Sequence, residues 1–415
     1  MHLDDPFRSA MTYIQTSKHA MRTKRSTPLL ITNGADEAMP YLNSATYAVK
    51  SQDSGVVEKL TKDYMIIKYD KVQPSDVPGE EGSAYRIISL KETVKKNSDG
   101  GFFVTVTLTT DLKEGQKFNK NEIIAYDAYS FGKASESDDL AYNLGVLTKV
   151  AIMNNDEGFE DSTSVSNWLS EALASEVVAM KDTPPLSKST NINFIAKVGD
   201  KIQEGDPLII YQNAFDEEDA NLLLKAIGSE DIVSDLGKIR LKSKYTGVVQ
   251  DIKIYRTCEI NEMSESMAKI VTEYEKGIKA TKAMYNKYKV PGANTLDPDY
   301  IMPQTGKLKN CSDGIVIEFY VKYNDKLGIG DKSVAQSANK GVTKDIFPVG
   351  LEPFTKLHPE EKINAVFAAR SFNARMVTSV FTAGAINKLL VELDRQVKEI
   401  MGVPYISVEE ANEEH

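Results

Sequence analysis

Two lysines, eight residues apart in a stretch rich in small residues, are the first candidates for chemistry in this sequence. Lys332 and Lys340 lie in KLGIGDKSVAQSANKGV, a segment that reads as a loop whose small residues let a backbone approach a ligand closely. Such a loop could cradle phosphates. It is not a P-loop, because GxxxxGK[ST] ending at Lys332–Ser333 would need glycine at the positions of Lys326 and Asp331. On spacing alone, a solvated loop is the favoured alternative.

Two acids and two arginines are further candidates. Glu160 and Asp161 are adjacent in GFEDSTSVS, and paired acids can hold a divalent ion or tune one that is held elsewhere. The alternative, which the residues by themselves favour, is a helix N-terminus whose acids complement the helix dipole. Arg8 in RSAMTY and Arg375 in SFNARMVTS are single arginines in polar contexts, and each could be an ordinary surface charge.

The elements that must position these residues are mostly strands. Short β-branched or aromatic runs, broken by Gly, Asn, Asp and Pro, fill residues 28–126 and again 191–255, which predicts small barrels or sandwiches. A weak internal repeat relates residues 114–126 to 198–211. Apolar residues at 3–4 spacing predict a helix or helical hairpin near 264–288 and an amphipathic helix that ends before Gly402.

Composition excludes several classes of protein. The 415 residues carry 50 Lys and Arg against 60 Asp and Glu, a net charge of −10 that argues against binding nucleic acid or anionic lipid by bulk electrostatics. Two cysteines and four histidines show no zinc-ligand spacing and no disulfide framework, so we expect no zinc. The start lacks a signal-peptide pattern and no apolar run is long enough to span a membrane, which predicts a cytoplasmic, non-secreted protein with no membrane partner.

Taken in order, six blocks of the chain resemble the β subunit of multisubunit DNA-directed RNA polymerases. The most specific, IEFYVKYNDKLGIGDKSVAQSANKGV, is similar to the family's block ending GDKMAGRHGNKGV, and it keeps both lysines at the same spacing. The other blocks are HLDDPFRSAM (2–11), PLLIT with DSGVV (28–57), YNLGVLTKVAIMNNDEGFEDSTSVS (142–166), VGDKIQEGDPL with YTGVVQDIKIY (198–255) and SFNARMVTSV (371–380).

A carrier domain of the biotinyl or lipoyl type is a false lead, because Met180–Lys181 precedes the VGDKIQEGDPL strand instead of following it.

The resemblance implies a fold and a division of the chain. The expected class is mixed α/β and β-rich, with a double-psi-barrel-like catalytic-core part and a flap domain that contains sandwich-barrel-hybrid-like motifs. Residues 1–165 would form the active-centre and hybrid-binding part of the core. Residues 166–314 would form a flap-like domain with a β-barrel and a helical hairpin, and 315–415 the barrel strands of the lysine loop and the carboxy-terminal helix.

The resemblance also assigns roles to nine residues. The lysines would contact phosphates near the RNA 3′ end, and the arginines would bind the incoming nucleoside triphosphate. The acids would lie near the second Mg²⁺, either as its ligands or in contact with it through water. The assignments are Lys332 and Lys340 (catalytic), Arg8 and Arg375 (NTP-binding), Lys18, Gln15 and Asn339 (nucleic-acid-binding), and Glu160 and Asp161 (metal-associated).

The expected function is that of a subunit. A middle-to-carboxy-terminal β fragment would contribute positive charge to nucleotide addition but be inactive alone, because the catalytic Mg²⁺ is held mainly by a partner β′ chain. The expected partners are β′-type fragments, an amino-terminal β fragment, a remaining carboxy-terminal β piece, an initiation factor at the flap, template DNA, RNA transcript and NTPs. The arrangement resembles the split β subunits of large bacteriophages, in an infected bacterial cell, and a truncated piece of a longer chain is the alternative.

One departure from the family keeps a second function open. Gly-Arg-His-Gly in the family's lysine loop reads Ala335, Gln336, Ser337 and Ala338 here, which removes a positive charge and two glycines. A noncatalytic β-like scaffold, whose flap recruits an initiation factor, is therefore the alternative hypothesis.

Overall fold

A computed structural model describes most of the chain, and β-strands dominate it, in agreement with the β-rich prediction. The described residues are 10–11, 23, 26, 35–42, 45–96, 103–133, 139–143, 145–154, 160–212, 237–293, 296, 313–335, 339–375 and 378–407. The helices are α1 (Ala35–Leu42), α2 (Asn167–Ala172), α3 (Glu265–Lys287), α4 (Ala369–Asn373) and α5 (Ser379–Met401). A short 3₁₀ helix covers Ile260–Glu262.

The strands follow one another at short intervals along the chain. They are β1 (Ala48–Lys50), β2 (Gly55–Leu60), β3 (Tyr64–Gln73), β4 (Ser83–Ser89), β5 (Thr93–Lys96), β6 (Phe103–Val106), β7 (Leu108–Thr109), β8 (Lys117–Phe118), β9 (Ile123–Asp127), β10 (Phe131–Lys133), β11 (Leu140–Tyr142) and β12 (Val150–Ile152). They continue as β13 (Ser162–Ser166), β14 (Ser175–Asp182), β15 (Leu186–Ser187), β16 (Asn191–Ile195), β17 (Lys201–Ile202), β18 (Pro207–Gln212), β19 (Lys238–Lys242), β20 (Gly247–Arg256), β21 (Gly314–Asp325), β22 (Lys332–Ala335), β23 (Asn339–Phe347) and β24 (Ala365–Phe367).

Two barrel-like units enclose separate cores. In the first, the sheets β4-β3-β2-β8 and β1-β9-β7 pack around residues such as Met65, Ile67 and Ile124. In the second, the sheets β17-β20-β21-β14-β6-β5 and β16-β18-β19 pack, with α3, around residues such as Leu208 and Phe319. Short β-branched and aromatic runs, separated by turn residues, predicted these strands from the sequence.

The weak internal repeat has a structural counterpart. Gly55 opens β2 and pairs with β8, and Gly247 opens β20 and pairs with β17. A Cβ on Gly55 would lie 2.3 Å from the Lys68 carbonyl oxygen, and a Cβ on Gly247 would lie 2.1 Å from that of Lys322. Only glycine tolerates such close strand approach, so both GVV segments serve the same structural purpose.

A five-stranded sheet, in the order β12-β24-β13-β23-β22, carries the candidate site. Its pairs β12/β24 and β13/β23 are parallel, whereas β13/β24 and β22/β23 are antiparallel. A core that includes Val165, Leu169, Phe367, Phe372 and Val380 joins this sheet to α2, α4 and α5. The assignment of this five-stranded sheet to a double-psi-barrel-like core stays a prediction. The division of the chain into the ranges 1–165, 166–314 and 315–415 also stays a prediction.

The carboxy-terminal helix α5 agrees with the prediction from spacing. It ends at Gly402, whose φ of 66° is in the left-handed region that favours glycine at a helix C-terminus. Glu361 bonds to Lys149 and to Arg395 of α5, and thereby fastens the helix to the sheet. Burial would raise the pKa of Glu361, but the hydrogen bonds and charges of Lys149 and Arg395 outweigh it and lower that pKa. None of the helices in the described ranges has the length and apolar character needed to cross a bilayer.

Candidate functional site

The two lysines lie on one face of a β-hairpin. In the antiparallel pair of β22 and β23, Lys332 is opposite Val342 and Val334 is opposite Lys340. Opposite residues share a face, as do residues two apart on one strand, so these four side chains project from the same side. The lysines are therefore diagonal neighbours, about 7–8 Å apart at Cα, which is within reach of a single phosphate-bearing ligand. Lys332 is exposed and Lys340 is half-buried.

The prediction of a loop around these lysines is wrong, because both lie on strands. The small residues suggested a loop, but β23 also pairs in parallel with β13, with Ser162 opposite Val342 and Thr163 opposite Thr343. Partner strands on both sides outweigh the low strand propensity of the local sequence. The hairpin therefore presents its lysines from a sheet and not from a solvated loop.

A glycine allows the sheet to close beside the lysines. A Cβ on Gly341 would lie 1.9 Å from the Oγ1 of Thr163 and 3.3 Å from its Cβ. Both residues are buried, and Thr163 is 1% exposed. Close approach of β13 and β23 thus requires glycine directly after Lys340.

Asn339 begins β23 opposite Ala335 and is 3% exposed. Within the described residues, its side-chain Nδ2 is buried without a hydrogen-bond partner. A buried amide donor is costly when it is unused. The expected contact of Asn339 with nucleic acid stays a prediction.

Asp161 adopts a conformation that few non-glycine residues adopt. It occupies a turn before β13 with φ of 60°, so the helix N-terminus considered for Glu160 and Asp161 is wrong. Its N–H donates to the Ser371 Oγ at 2.7 Å, and its carbonyl oxygen accepts from the Val342 N–H at 2.7 Å. These two bonds connect α4 and the lysine hairpin through one residue.

Arg375, expected to bind a triphosphate, forms a bidentate ion pair with Asp161. Nη1 of Arg375 contacts Oδ1 of Asp161, and Nη2 donates to Oδ2. The Arg375 side chain is 18% exposed and that of Asp161 is 42% exposed. A fork-to-fork pair of this kind fixes the plane of the guanidinium group and leaves its other N–H donors for a second anion.

The acidic pair offers limited capacity for a metal ion. Both carboxylate oxygens of Asp161 face Arg375, and Glu160 is exposed in the same turn. In the described part of the chain, no three or more His, Cys, Asp or Glu side chains cluster to hold a metal. Oxygen donors such as these suit Mg²⁺, and Glu160 is the member of the pair that could reach an ion or its water shell.

Six of the nine predicted residues therefore lie around one sheet edge. Lys332, Val342 and Asp161 are consecutive neighbours across β22, β23 and the start of β13, and Arg375 joins them through Asp161. The other predicted residues, Arg8, Gln15 and Lys18, lie outside the described residues. The six are Glu160, Asp161, Lys332, Asn339, Lys340 and Arg375.

Sequence reasoning missed two residues that shape this site. The contact between Ser371 and Asp161 joins positions 210 apart in the chain, and no local pattern indicates it. The contact of Thr163 with the strand at Gly341 is equally non-local, although the glycine after Lys340 was a signal of close backbone approach.

The sequence of the chain matches a known protein family. Residues 123–388 match the family model described as RNA polymerase Rpb2, domain 6. The chain is 25% identical over 327 residues to the DNA-directed RNA polymerase subunit beta of Borreliella burgdorferi (strain ZS7), and equally to that of Borrelia garinii subsp. bavariensis. Each alignment covers 76% of this chain and 25% of the relative, so the chain spans about a quarter of the length of these relatives. All six of the residues brought together lie in the matched range.

Proposed function

The chain belongs to the RNA polymerase Rpb2, domain 6 family, and from this membership we propose that it is a β-type subunit of a DNA-directed RNA polymerase that binds phosphates during nucleotide addition. The observation that carries the proposal is the hairpin that presents Lys332 and Lys340 on one face, beside the Asp161–Arg375 pair. Cationic groups held by a sheet are arranged before the ligand arrives, which is the condition for electrostatic stabilisation of a transition state.

The proposed reaction is in-line attack of an RNA 3′-OH on the α-phosphate of an NTP. Negative charge increases on the phosphoryl oxygens as pyrophosphate leaves, and Lys332 and Lys340 supply positive charge there. Arg375 binds the triphosphate with the N–H groups that Asp161 does not use. Arg8 is proposed as a second triphosphate ligand, and Asn339, with Lys18 and Gln15, as contacts to nucleic acid.

Mg²⁺ would activate the 3′-OH and neutralise charge on the phosphates. We propose that a partner β′-type chain supplies most of the ligands to the catalytic Mg²⁺, with Glu160 and Asp161 near the second Mg²⁺. The engagement of Asp161 by Arg375 supports this auxiliary role, because it leaves Glu160 as the nearer carboxylate for an ion or its water shell. The chain would then be inactive alone and would act in the cytoplasm.

The proposal includes the remaining partners. A split β subunit, similar to those of large bacteriophages, would assemble with further β and β′ pieces, DNA and RNA. Genes for those pieces in the same genome, and co-purification of their products with this chain, would support the split. Absence of any companion chain from the purified complex would contradict it.

The direct test of the lysines is nucleotide addition by a complex reconstituted from this chain and its partners. Lys340→Ala should leave assembly intact and slow addition by about two orders of magnitude, because a charge aligned with the transition state is worth roughly 3 kcal/mol. Lys62→Ala is the matched control, since Lys62 is an exposed lysine in the turn between β2 and β3. A normal rate for the Lys340→Ala complex would contradict the assignment.

The second candidate function is a noncatalytic scaffold whose flap recruits an initiation factor. It is favoured by the exposure of apolar residues in the second barrel-like unit, where Phe194 is 43% and Ile239 is 45% exposed. Normal transcription by a complex that carries both Lys332→Ala and Lys340→Ala would favour this function over the first.

A further inference from the structure

We propose that Ser371 is a positioning residue for triphosphate binding, which it controls through Asp161 and Arg375. The inference deepens the proposed function and rests on it, because it requires Arg375 to bind the triphosphate. Ser371 itself contacts no ligand. Its role is to hold the backbone of Asp161, whose carboxylate in turn orients the guanidinium group of Arg375.

Contacts with other segments stabilise the backbone conformation of Asp161. With φ of 60°, this residue occupies the left-handed region, which is unfavourable for a side chain that has a Cβ. Two hydrogen bonds, the N–H to Ser371 and the carbonyl from Val342, hold it there, both at 2.7 Å. Loss of the Ser371 hydroxyl removes one of the two and lets the turn relax toward commoner backbone angles.

The position of Ser371 makes its bond specific to Arg375. Ser371 lies in α4, and Arg375 follows the C-cap Ala374 at the end of the same helix, so one short segment carries both residues. Asp161 contacts both: its N–H reaches Ser371, and its carboxylate reaches Arg375. Ser371 is 3% exposed, which excludes water as a ready substitute for the lost acceptor.

The consequence concerns binding and not the chemical step. When Asp161 is held, the guanidinium plane of Arg375 is fixed, and the N–H groups that Asp161 does not engage remain for the triphosphate. When it is not held, the arginine must be ordered at the moment of binding, which weakens affinity. Lys332 and Lys340, the groups that would act on the α-phosphate, lie on β22 and β23, which pair directly with each other, so the register between the two lysines does not depend on Asp161.

The experiment measures KM and kcat for NTP addition by the reconstituted complex. Ser371→Ala should raise KM about fivefold, the size expected for one hydrogen bond, and change kcat less than about twofold. Ser371→Thr, which retains the hydroxyl, should restore a KM near that of the wild type. Ser51→Ala is the matched control, because Ser51 is 1% exposed and its Oγ also accepts a backbone N–H, from Glu122 at 3.0 Å.

A double-mutant cycle distinguishes the role of Ser371 from that of Arg375. If Ser371 acts through Arg375, Ser371→Ala should add nothing to the KM of the Arg375→Ala complex. Multiplicative effects would overturn the role of Ser371 and leave that of Arg375 intact. A normal KM for Arg375→Ala would overturn the roles of both residues and would contradict the proposed function itself. Should the alanine variant fail to assemble, Ser371→Cys, of similar volume but with a weak acceptor, should show the same rise in KM, and a normal KM would overturn the proposal.

Discussion

Substitution of Gly341 should separate β13 from β23 and destabilise the sheet that carries the site. In Gly341→Ala, the new Cβ would lie 1.9 Å from the Thr163 Oγ1, 3.3 Å from the Thr163 Cβ and 3.5 Å from the ring of Phe367. Rotation of the threonine removes only the first of these contacts, and Thr163 is 1% exposed. Overpacking of this severity should lower the free energy of unfolding by about 3 kcal/mol.

Chemical denaturation of the full chain can measure this loss at the sheet itself. The chain has one tryptophan, Trp168, which lies in α2 directly after β13 and packs against the core of this sheet. Its fluorescence should report the unfolding of this region even when other parts unfold separately. For a urea m-value of about 1–3 kcal/mol/M, the midpoint should fall by about 1 M or more.

Two further variants make the reasoning refutable. Thr163→Ala together with Gly341→Ala should recover about 2 kcal/mol relative to the sum of the single changes, because the closest contact is gone. Gly384→Ala is the control of opposite sign: this glycine is exposed in α5, nothing lies within 4 Å of its Cβ, and alanine should stabilise the helix by about 0.5–1 kcal/mol. An unchanged midpoint in Gly341→Ala, or no recovery in the double variant, would refute the close approach of the strands.

The remaining predictions concern titration and a helix end. Glu361→Gln should weaken the attachment of α5 to the sheet. Because the pKa of Glu361 is lowered in the folded chain, its contribution to stability is present above the unfolded pKa and is lost as pH falls through the folded pKa. Urea melts should therefore show a less stable variant at neutral pH and equal stability of variant and wild type in acid. Burial and the neighbouring Asp111 raise the pKa of Tyr126 to about 12, so the difference between the ultraviolet titrations of the wild type and Tyr126→Phe should show a tyrosine that ionises near pH 12 instead of near pH 10. The contribution of Tyr126 to stability should decline as pH rises from about 10 to 12. Gly402→Ala, at φ of 66°, should cost about 1 kcal/mol in thermal unfolding, and no loss would contradict the left-handed helix end.

Local pattern was sufficient for most elements of the fold. The β-branched and aromatic runs GVVEKL and YMIIKYD predicted β2 and β3, and the 3–4 spacing of apolar residues predicted α5, because residue type and spacing are local properties of the chain. The repeat between residues 114–126 and 198–211 likewise predicted two related units, which the matched glycines at the start of β2 and β20 confirm.

The site itself depends on contacts that no local pattern encodes. Lys332 and Lys340 looked like loop residues, since the parallel pairing of β13 with β23 joins segments about 180 residues apart. The Asp161–Arg375 pair spans 214 residues, and the family resemblance predicted a separate ligand for each residue instead of a pair. Resemblance to a family supplied the residue identities, and the structure supplied their connections.

Crosslinking from Val342 can show whether the lysine hairpin lies at the phosphates during nucleotide addition. Val342 is 38% exposed and projects from the same face as Lys332 and Lys340, so a photo-reactive amino acid there leaves both lysines in place. In a reconstituted, active elongation complex, we expect a crosslink from position 342 to the RNA 3′-terminal nucleotide or the incoming NTP. The same probe at position 62 should give none. An active complex in which position 342 crosslinks to neither would contradict the placement of this hairpin at the phosphates.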